Sequence, residues 1–197
     1  MERFMMATRV FPLIDASGSM CTLEDNKTRW ERMQETVSGM VGELAEHCGG
    51  SLLLTFFNGA GMVHPPVSSY QDVATAFGGV RPKMSTPLDI ALQWALQKAN
   101  LAVRDGHKTL IPIFFDGAPD SELAVETLIR TQANSQTADD DVTIAFCVVG
   151  NDPAPKAWLQ KLDSRLNTKL DIVCVMQLEE AARFGSVGEW MQHCIDN

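Results

Sequence analysis

The sequence has 197 residues, of which 45% are hydrophobic and 21% are charged, and it carries a formal net charge of −9. A chain of this length and composition can bury a full hydrophobic core and is too apolar to be disordered, so we expect one domain over residues 1–197. Acidic side chains outnumber Lys and Arg by 25 to 16, which argues against nucleic-acid binding and leaves open a cluster of carboxylates around a metal ion.

The cysteines and the apolar segments bear on the compartment. The five cysteines are an odd number, and they show neither a C-x-x-C pair nor the spacing of a zinc site, which favours a reducing environment. Residues 1–8 lack the apolar segment of a signal peptide, and no apolar run reaches the 18 residues of a membrane span. We therefore expect a cytoplasmic protein with no membrane contact.

Short apolar runs predict buried β-strands along the chain. Their hydrophobicity is nearly continuous, which is typical of parallel strands covered on both faces. The predicted strands are residues 9–14, 51–58, 109–115, 142–150 and 170–176, with a short edge strand at 62–67. Pro12 and Pro112 conflict with this prediction, because proline removes a hydrogen bond from a central strand unless it lies at the start of the strand or at a bulge.

Amphipathic segments alternate with the predicted strands. On each, apolar residues three and four positions apart form one stripe, as on a helix that covers a sheet. These segments are residues 30–44, 88–99, 123–128 and 158–162. The stripe of the third segment includes Leu123. A last segment from Leu178 is interrupted at Gly185 and restarts with Ser186 and Glu189, spaced as a capping box.

Alternating strands and helices predict an α/β fold, in which right-handed crossovers place helices on both faces of a parallel sheet. We expect a doubly wound, mostly parallel central sheet of about six strands with one short antiparallel edge strand. The loops at the carboxyl ends of such strands form the edge at which ligands bind.

Three loops at this edge carry side-chain oxygens. Asp15-Ala16-Ser17-Gly18-Ser19 follows the first strand, and its alternate side chains can aim at one point because Gly18 permits a sharp turn. Ser85-Thr86-Pro87-Leu88 enters a helix, for which Thr86 is a suitable N-cap. Phe115-Asp116-Gly117-Ala118-Pro119-Asp120 follows the third strand.

Each loop by itself is compatible with a structural role, as a polar turn, a helix cap or a turn dipeptide. Together and in this order they supply two carboxylates and three hydroxyls, without His or Cys. An all-oxygen set of this kind suits a hard cation, Mg²⁺ first, with Mn²⁺ and Ca²⁺ as alternatives. Two negative charges would balance the ion and leave it short of ligands, so that an external anion could complete its shell.

The same loops resemble a known family. Asp15-Ala16-Ser17-Gly18-Ser19 is similar to the D-x-S-x-S signature of von Willebrand factor A domains, and Ser85-Thr86-Pro87-Leu88 is similar to their threonine loop. Residues 115–119 are similar to their T-D-G-x-P segment, with Phe115 in place of the usual threonine. The resemblance extends from residue 9 to about residue 176 and is nearest in style to the intracellular bacterial and phage members.

The resemblance implies a Rossmann-like sheet with a metal-ion-dependent adhesion site. The ligands of that site would be Asp15, Ser17, Ser19, Thr86 and Asp116. One departure from the family pattern is the long polar stretch at residues 21–29, which would lie beside the metal and could shape the choice of partner.

These observations favour a Mg²⁺-dependent protein-interaction module rather than an enzyme. Its bound ion would accept an Asp or Glu carboxylate from another protein. Membership of a larger complex is compatible with this role. One alternative is a Mg²⁺-dependent hydrolase or phosphatase with Asp15 as nucleophile. Against this alternative, the chain has Ser17 where phosphatases of the haloacid dehalogenase type carry a second Asp. The four histidines of the chain are also scattered, so none is an evident general base. A metal-free structural subunit is the other alternative.

Overall fold

The structure is a computed structural model that describes residues 8–47, 50–150, 152, 157–162, 166 and 168–196. Cys48 and residues 1–7, on which the expectation about a signal peptide depends, lie outside the described residues. None of the other four cysteines, Cys21, Cys147, Cys174 and Cys194, forms a disulfide with another described residue. Within the described ranges, no helix has both the length and the apolar character needed to cross a membrane.

Eleven short or medium strands and six labelled helices make up the described fold. The strands are β1 (Thr8–Val10), β2 (Leu13–Asp15), β3 (Leu23–Glu24), β4 (Lys27–Thr28), β5 (Leu52–Leu53), β6 (Thr55–Asn58), β7 (Gly61–Val63), β8 (Pro66–Val67), β9 (Lys108–Phe115), β10 (Val142–Val148) and β11 (Val173–Gln177). The helices are α1 (Arg29–His47), α2 (Tyr70–Gly79), α3 (Leu88–Arg104), α4 (Glu122–Ser135), α5 (Leu178–Ala181) and α6 (Val187–Asp196). Residues 157–162 are also helical, and Gly18–Cys21 form a 3₁₀ turn.

The central sheet has the strand order β11-β10-β9-β2-β6-β7, and β1 pairs separately with β9. All of these pairings are parallel except that of β7 with β6. The predicted doubly wound, mostly parallel sheet with an antiparallel edge is therefore confirmed. The edge strand predicted at residues 62–67 is divided, because β8 turns away from β7 and pairs with β5.

Pro12 and Pro112 are accommodated at a single gap in the sheet. Pairing between β1 and β9 stops before Pro12, and β2 resumes it beyond. The Phe11 N–H donates to the Leu110 carbonyl (2.9 Å), which shows that the backbone of Leu110 faces β1. Pro112 lies two residues further along β9 and faces the same side, so the N–H that it lacks would have pointed into the gap. The other side of β9 remains paired with β10, where Ala145 is in register with Pro112.

Helices cover both faces of the sheet. On one face, α1, α2 and α6 bury Met33, Val37, Val73, Phe77 and Trp190. On the other, α3 and α4 bury Leu92, Ala95, Val125, Ile129 and Ala133.

The apolar stripe predicted for α4 is wrong in part: its member Leu128 packs against the core, but Leu123 does not. Leu123 is 75% exposed, whereas Val125, Ile129 and Ala133 are buried. The buried residues are also spaced four apart, so the sequence contained two overlapping stripes, and packing against the sheet selected the second. Helix α2 was absent from the prediction altogether.

Candidate metal centre

The two carboxylates of the candidate site lie at the ends of neighbouring strands. Asp15 is the last residue of β2, and Asp116 directly follows β9. Both side chains are completely buried, at 0% exposure. Parallel pairing of the two strands therefore brings both carboxylates to the same edge of the sheet, although they are far apart in the chain.

Two serines connect these carboxylates. The Ser17 N–H donates to Asp15 Oδ1 at 2.7 Å, and the Ser17 and Ser19 hydroxyls lie 2.9 Å apart. The Ser19 hydroxyl then donates to Asp116 Oδ1 at 2.7 Å. The alternate side chains of the first loop thus converge as expected, and four of the five candidate residues belong to one hydrogen-bond network.

Asp15 is the member of this network whose negative charge is least compensated. Its Oδ2 atom is buried without a hydrogen-bond partner among the described residues. Burial, followed by repulsion from Asp116, raises the pKa of Asp15 from 3.8 to about 7. A buried carboxylate oxygen with no donor is costly, and a cation placed against it would remove that cost.

The fifth residue, Thr86, is held from the side of the third loop. Its N–H donates to Asp120 Oδ1 at 3.0 Å, and its carbonyl accepts from the Asp120 N–H at 2.9 Å. No hydrogen bond within the described structure joins the Thr86 hydroxyl to the other four residues. The first and second loops are adjacent, because the Gly18 N–H donates to the Met84 carbonyl at 2.9 Å.

Contrary to the prediction, Thr86 does not cap α3. The helix begins at Leu88, its N-cap position is Pro87, and no side chain forms a capping hydrogen bond there. The Thr86 backbone instead pairs with Asp120, which leaves its side chain uncommitted to the helix.

Sequence reasoning missed Arg29, the first residue of α1. Its Nη1 donates to Asp116 Oδ2 at 3.0 Å, and its Nε and Nη2 donate to Glu24 Oε1 at 2.9 and 2.7 Å. Arg29 is 8% exposed. The guanidinium therefore occupies one oxygen of Asp116, and only the other oxygen faces the serine hydroxyls.

The polar stretch at residues 21–29 lies beside the site and brings this arginine there. It forms the β3–β4 hairpin, whose two turn residues, Asp25 and Asn26, have φ of 48° and 69°. Such left-handed pairs are typical of two-residue hairpin turns. On the far side of the guanidinium, Gly150 has φ +85°, and a Cβ there would be 2.7 Å from Arg29 Nε.

The oxygen ligands that the candidate site offers fit a hard divalent cation better than a soft one. Among residues 8–196 that the structure describes, no three His, Cys, Asp or Glu side chains form a metal-binding cluster. The candidate site has two carboxylates, and its remaining donors are hydroxyls, which suit Mg²⁺, Mn²⁺ or Ca²⁺. The unpartnered Asp15 Oδ2 gives such an ion a negative oxygen to bind.

Residues 10–118, more than half of the chain, match the family model described as von Willebrand factor type A domain. No curated protein matches the chain significantly.

Several solved structures share the fold. The manganese-loaded TRAP protein of Plasmodium vivax is 15% identical, with a TM-score of 0.61 over 90% of this chain and 71% of that one. The SpRpn10 VWA domain is 16% identical, with a TM-score of 0.60 over 86% of each chain. The vWF domain of the type V pili tip protein Mfa5 from Porphyromonas gingivalis is 10% identical, with a TM-score of 0.57 over 95% of this chain and 93% of that one.

Proposed function

Because the chain belongs to the von Willebrand factor type A domain family, we propose that it is a Mg²⁺-dependent module that binds a carboxylate of a partner protein. Domains of this family are typically protein-interaction modules, and some of them depend on a metal. The manganese-loaded TRAP structure, although only 15% identical, supports a divalent ion in a domain of this fold.

The observation that carries the proposal is the buried Asp15 Oδ2, which has no hydrogen-bond partner among the described residues, next to a network of hydroxyls that ends at Asp116. The residues that would hold the ion are Asp15, Ser17, Ser19, Thr86 and Asp116. When bound, the ion supplies a positive charge that attracts an anionic group. Mn²⁺ and Ca²⁺ are the alternatives to Mg²⁺.

One residue of the site reaches the protein surface. Ser19 is exposed, whereas Asp116, whose Oδ1 accepts from the Ser19 hydroxyl, is buried. A partner side chain can therefore approach from the side of Ser19, and the amino end of α3, which begins two residues after Thr86, favours a negative group nearby. An Asp or Glu of the partner meets both requirements.

No observation favours the hydrolase alternative. Such an enzyme needs a general base beside Asp15. Among the described side chains, no histidine forms a hydrogen bond with any of the five candidate ligands. We therefore propose a binding role without catalysis. We also propose a cytoplasmic location, where cysteines that form no disulfide in the described structure would remain reduced.

The test is a displayed library of short random peptides with a fixed central Asp, compared with a matched library that has Asn there. In Mg²⁺, the wild-type protein should retain the Asp library over the Asn library, and a chelator should remove the difference. Asp15→Ala, matched with the exposed Asp139→Ala, should also remove it, and calorimetry with MgCl₂ alone should show that the variant no longer binds the ion. Equal retention of both libraries in Mg²⁺ contradicts the proposed function.

A further inference from the structure

A groove of about 240 Å³ opens beside the candidate metal centre. One wall is the β6–β7 hairpin, and the other is the segment that follows α2. The residues that matter for the argument are Asn58, Gly61, Val63, Val80, Arg81 and Lys83. The groove is open to solvent, because Gly61, Val63, Arg81 and Lys83 are exposed.

The groove is joined directly to the metal centre. The carbonyl of Ala16 lies between the candidate ligands Asp15 and Ser17 in the chain. It accepts one hydrogen bond from Asn58 Nδ2 (3.2 Å) and another from the Lys83 N–H (2.9 Å). Both walls of the groove are therefore attached to the loop that carries the first ligands.

Two unpaired cations line the groove. Arg81 and Lys83 are exposed, and neither forms an ion pair or a side-chain hydrogen bond within the described part of the chain. Five other cations each pair with a carboxylate: Lys27, Arg29, Arg32, Lys108 and Lys161. Arg104 and Arg183 also form no ion pair within the described residues, but each is isolated in the sequence, whereas Arg81 and Lys83 are two positions apart. In a protein with a net charge of −9, two adjacent unpaired cations form a local site for negative charge.

Met84 lies in the chain between Lys83, which lines the groove, and Ser85, which begins the second loop of the candidate metal centre. It is 62% exposed and has φ +65°, and its carbonyl accepts the hydrogen bond from the Gly18 N–H. A left-handed conformation is unfavourable for a residue with a side chain, yet the contact with the first loop maintains it. The apolar side chain of Met84 is thus exposed to solvent between the groove and the candidate metal centre.

We propose that this groove is a second docking surface, which receives an extended acidic segment of the partner. This segment would be adjacent in sequence to the carboxylate at the metal centre, with its additional Asp or Glu side chains beside Arg81 and Lys83. Charge complementarity is the reason for this choice of occupant. The proposal rests on the proposed function for the first contact, and it adds the sequence context in which the partner's carboxylate must lie.

The peptide library with the fixed central Asp tests the proposal, because its flanking positions are random. Peptides retained by the wild-type protein in Mg²⁺ should be enriched in Asp and Glu on one side of the fixed residue. The double variant Arg81→Gln/Lys83→Gln should lose this flanking enrichment and should bind a selected acidic peptide about three- to tenfold more weakly, the effect of two exposed ion pairs. Its Mg²⁺ affinity and its preference for Asp over Asn at the fixed position should be unchanged.

Arg104→Gln, at the last residue of α3, is the matched control and should behave as the wild type. Wild-type pools without flanking acids, or flanking enrichment that survives in the double variant, would overturn the proposal. These outcomes are separate from failure of the proposed function, which would show as a missing preference for Asp over Asn at the fixed position. Flanking enrichment that depends on Arg81 and Lys83 would support the groove even in that case.

Discussion

Arg29 and Asp116, separated by 87 positions in the chain, form a buried ion pair in which Nη1 lies 3.0 Å from Oδ2. The pair divides the two oxygens of Asp116 between an arginine and the Ser19 hydroxyl. Because the arginine also binds Glu24, it is the cation shared by two carboxylates beside the candidate metal centre.

We expect Arg29→Gln to lower the free energy of unfolding by about 3–5 kcal/mol, because it leaves Asp116 and Glu24 without their cation in a largely buried place. Urea denaturation measures the change. Lys27→Gln is the matched control from the same hairpin, since its pair with Glu35 is more than half exposed on both sides and should be worth at most about 1 kcal/mol. Equal losses in the two variants would show that the Arg29 pair is no stronger than a surface pair.

Gly150→Ala should be more destabilising than Gly106→Ala, although both glycines have φ +85°. At Gly106 a Cβ meets nothing within 4 Å, so only backbone strain of about 1 kcal/mol is expected. At Gly150 the Cβ would also displace the Arg29 guanidinium. In an Arg29→Gln background the extra cost at Gly150 should shrink to what the 3.1 Å contact with Glu24 Oε1 leaves, and an undiminished difference between the two glycines would contradict the steric explanation.

The metal-free protein should become less stable between pH 5 and pH 7 because of Asp15. Its pKa is about 7 in the folded state against 3.8 as the ordinary value, so the folded state binds more protons in this interval. Stability that is present at low pH is then lost as the pH rises toward 7, by about 1.4 kcal/mol per unit at most. Unfolding with a chelator present should show this slope relative to Asp15→Asn, and parallel pH profiles for the two proteins would rule it out.

Binding of Mg²⁺ should release a proton from Asp15 at pH 6 and almost none at pH 9. The ion and the proton compete for the same carboxylate, so affinity should fall by up to about tenfold per pH unit below 7. Calorimetry in two buffers of different ionisation enthalpy counts the protons released. A pH-independent affinity would mean that Asp15 does not contact the ion.

The sheet could be predicted from the sequence because parallel strands covered on both faces give continuous apolar runs, and the runs at residues 109–115 and 142–150 correspond closely to β9 and β10. The shorter α2 was missed, although Ser69 caps it by accepting from the Asp72 N–H. Its few buried residues, Val73 and Phe77 among them, form too short a pattern to stand out.

Within the candidate site, convergence of Asp15, Ser17 and Ser19 followed from the alternation of side chains in one loop. Proximity to Asp116 followed from the common edge of parallel strands. The role of Arg29 could not be predicted in the same way, since its contact with Asp116 depends on how the β3–β4 hairpin folds back. A single arginine at the start of a helix carries no signal of a partner so distant in the chain.

The gap at Pro12 also divides the amino-terminal part of the sheet into two units of different local stability. Among the described strands β1 has only β9 as a neighbour, whereas β2 is hydrogen-bonded between β6 and β9. Amides of β1 should therefore exchange with solvent through local opening, while those of β2 exchange only when the central sheet opens. Fraying at residues 8–10 can consequently proceed without disturbing Asp15, five residues beyond the end of β1.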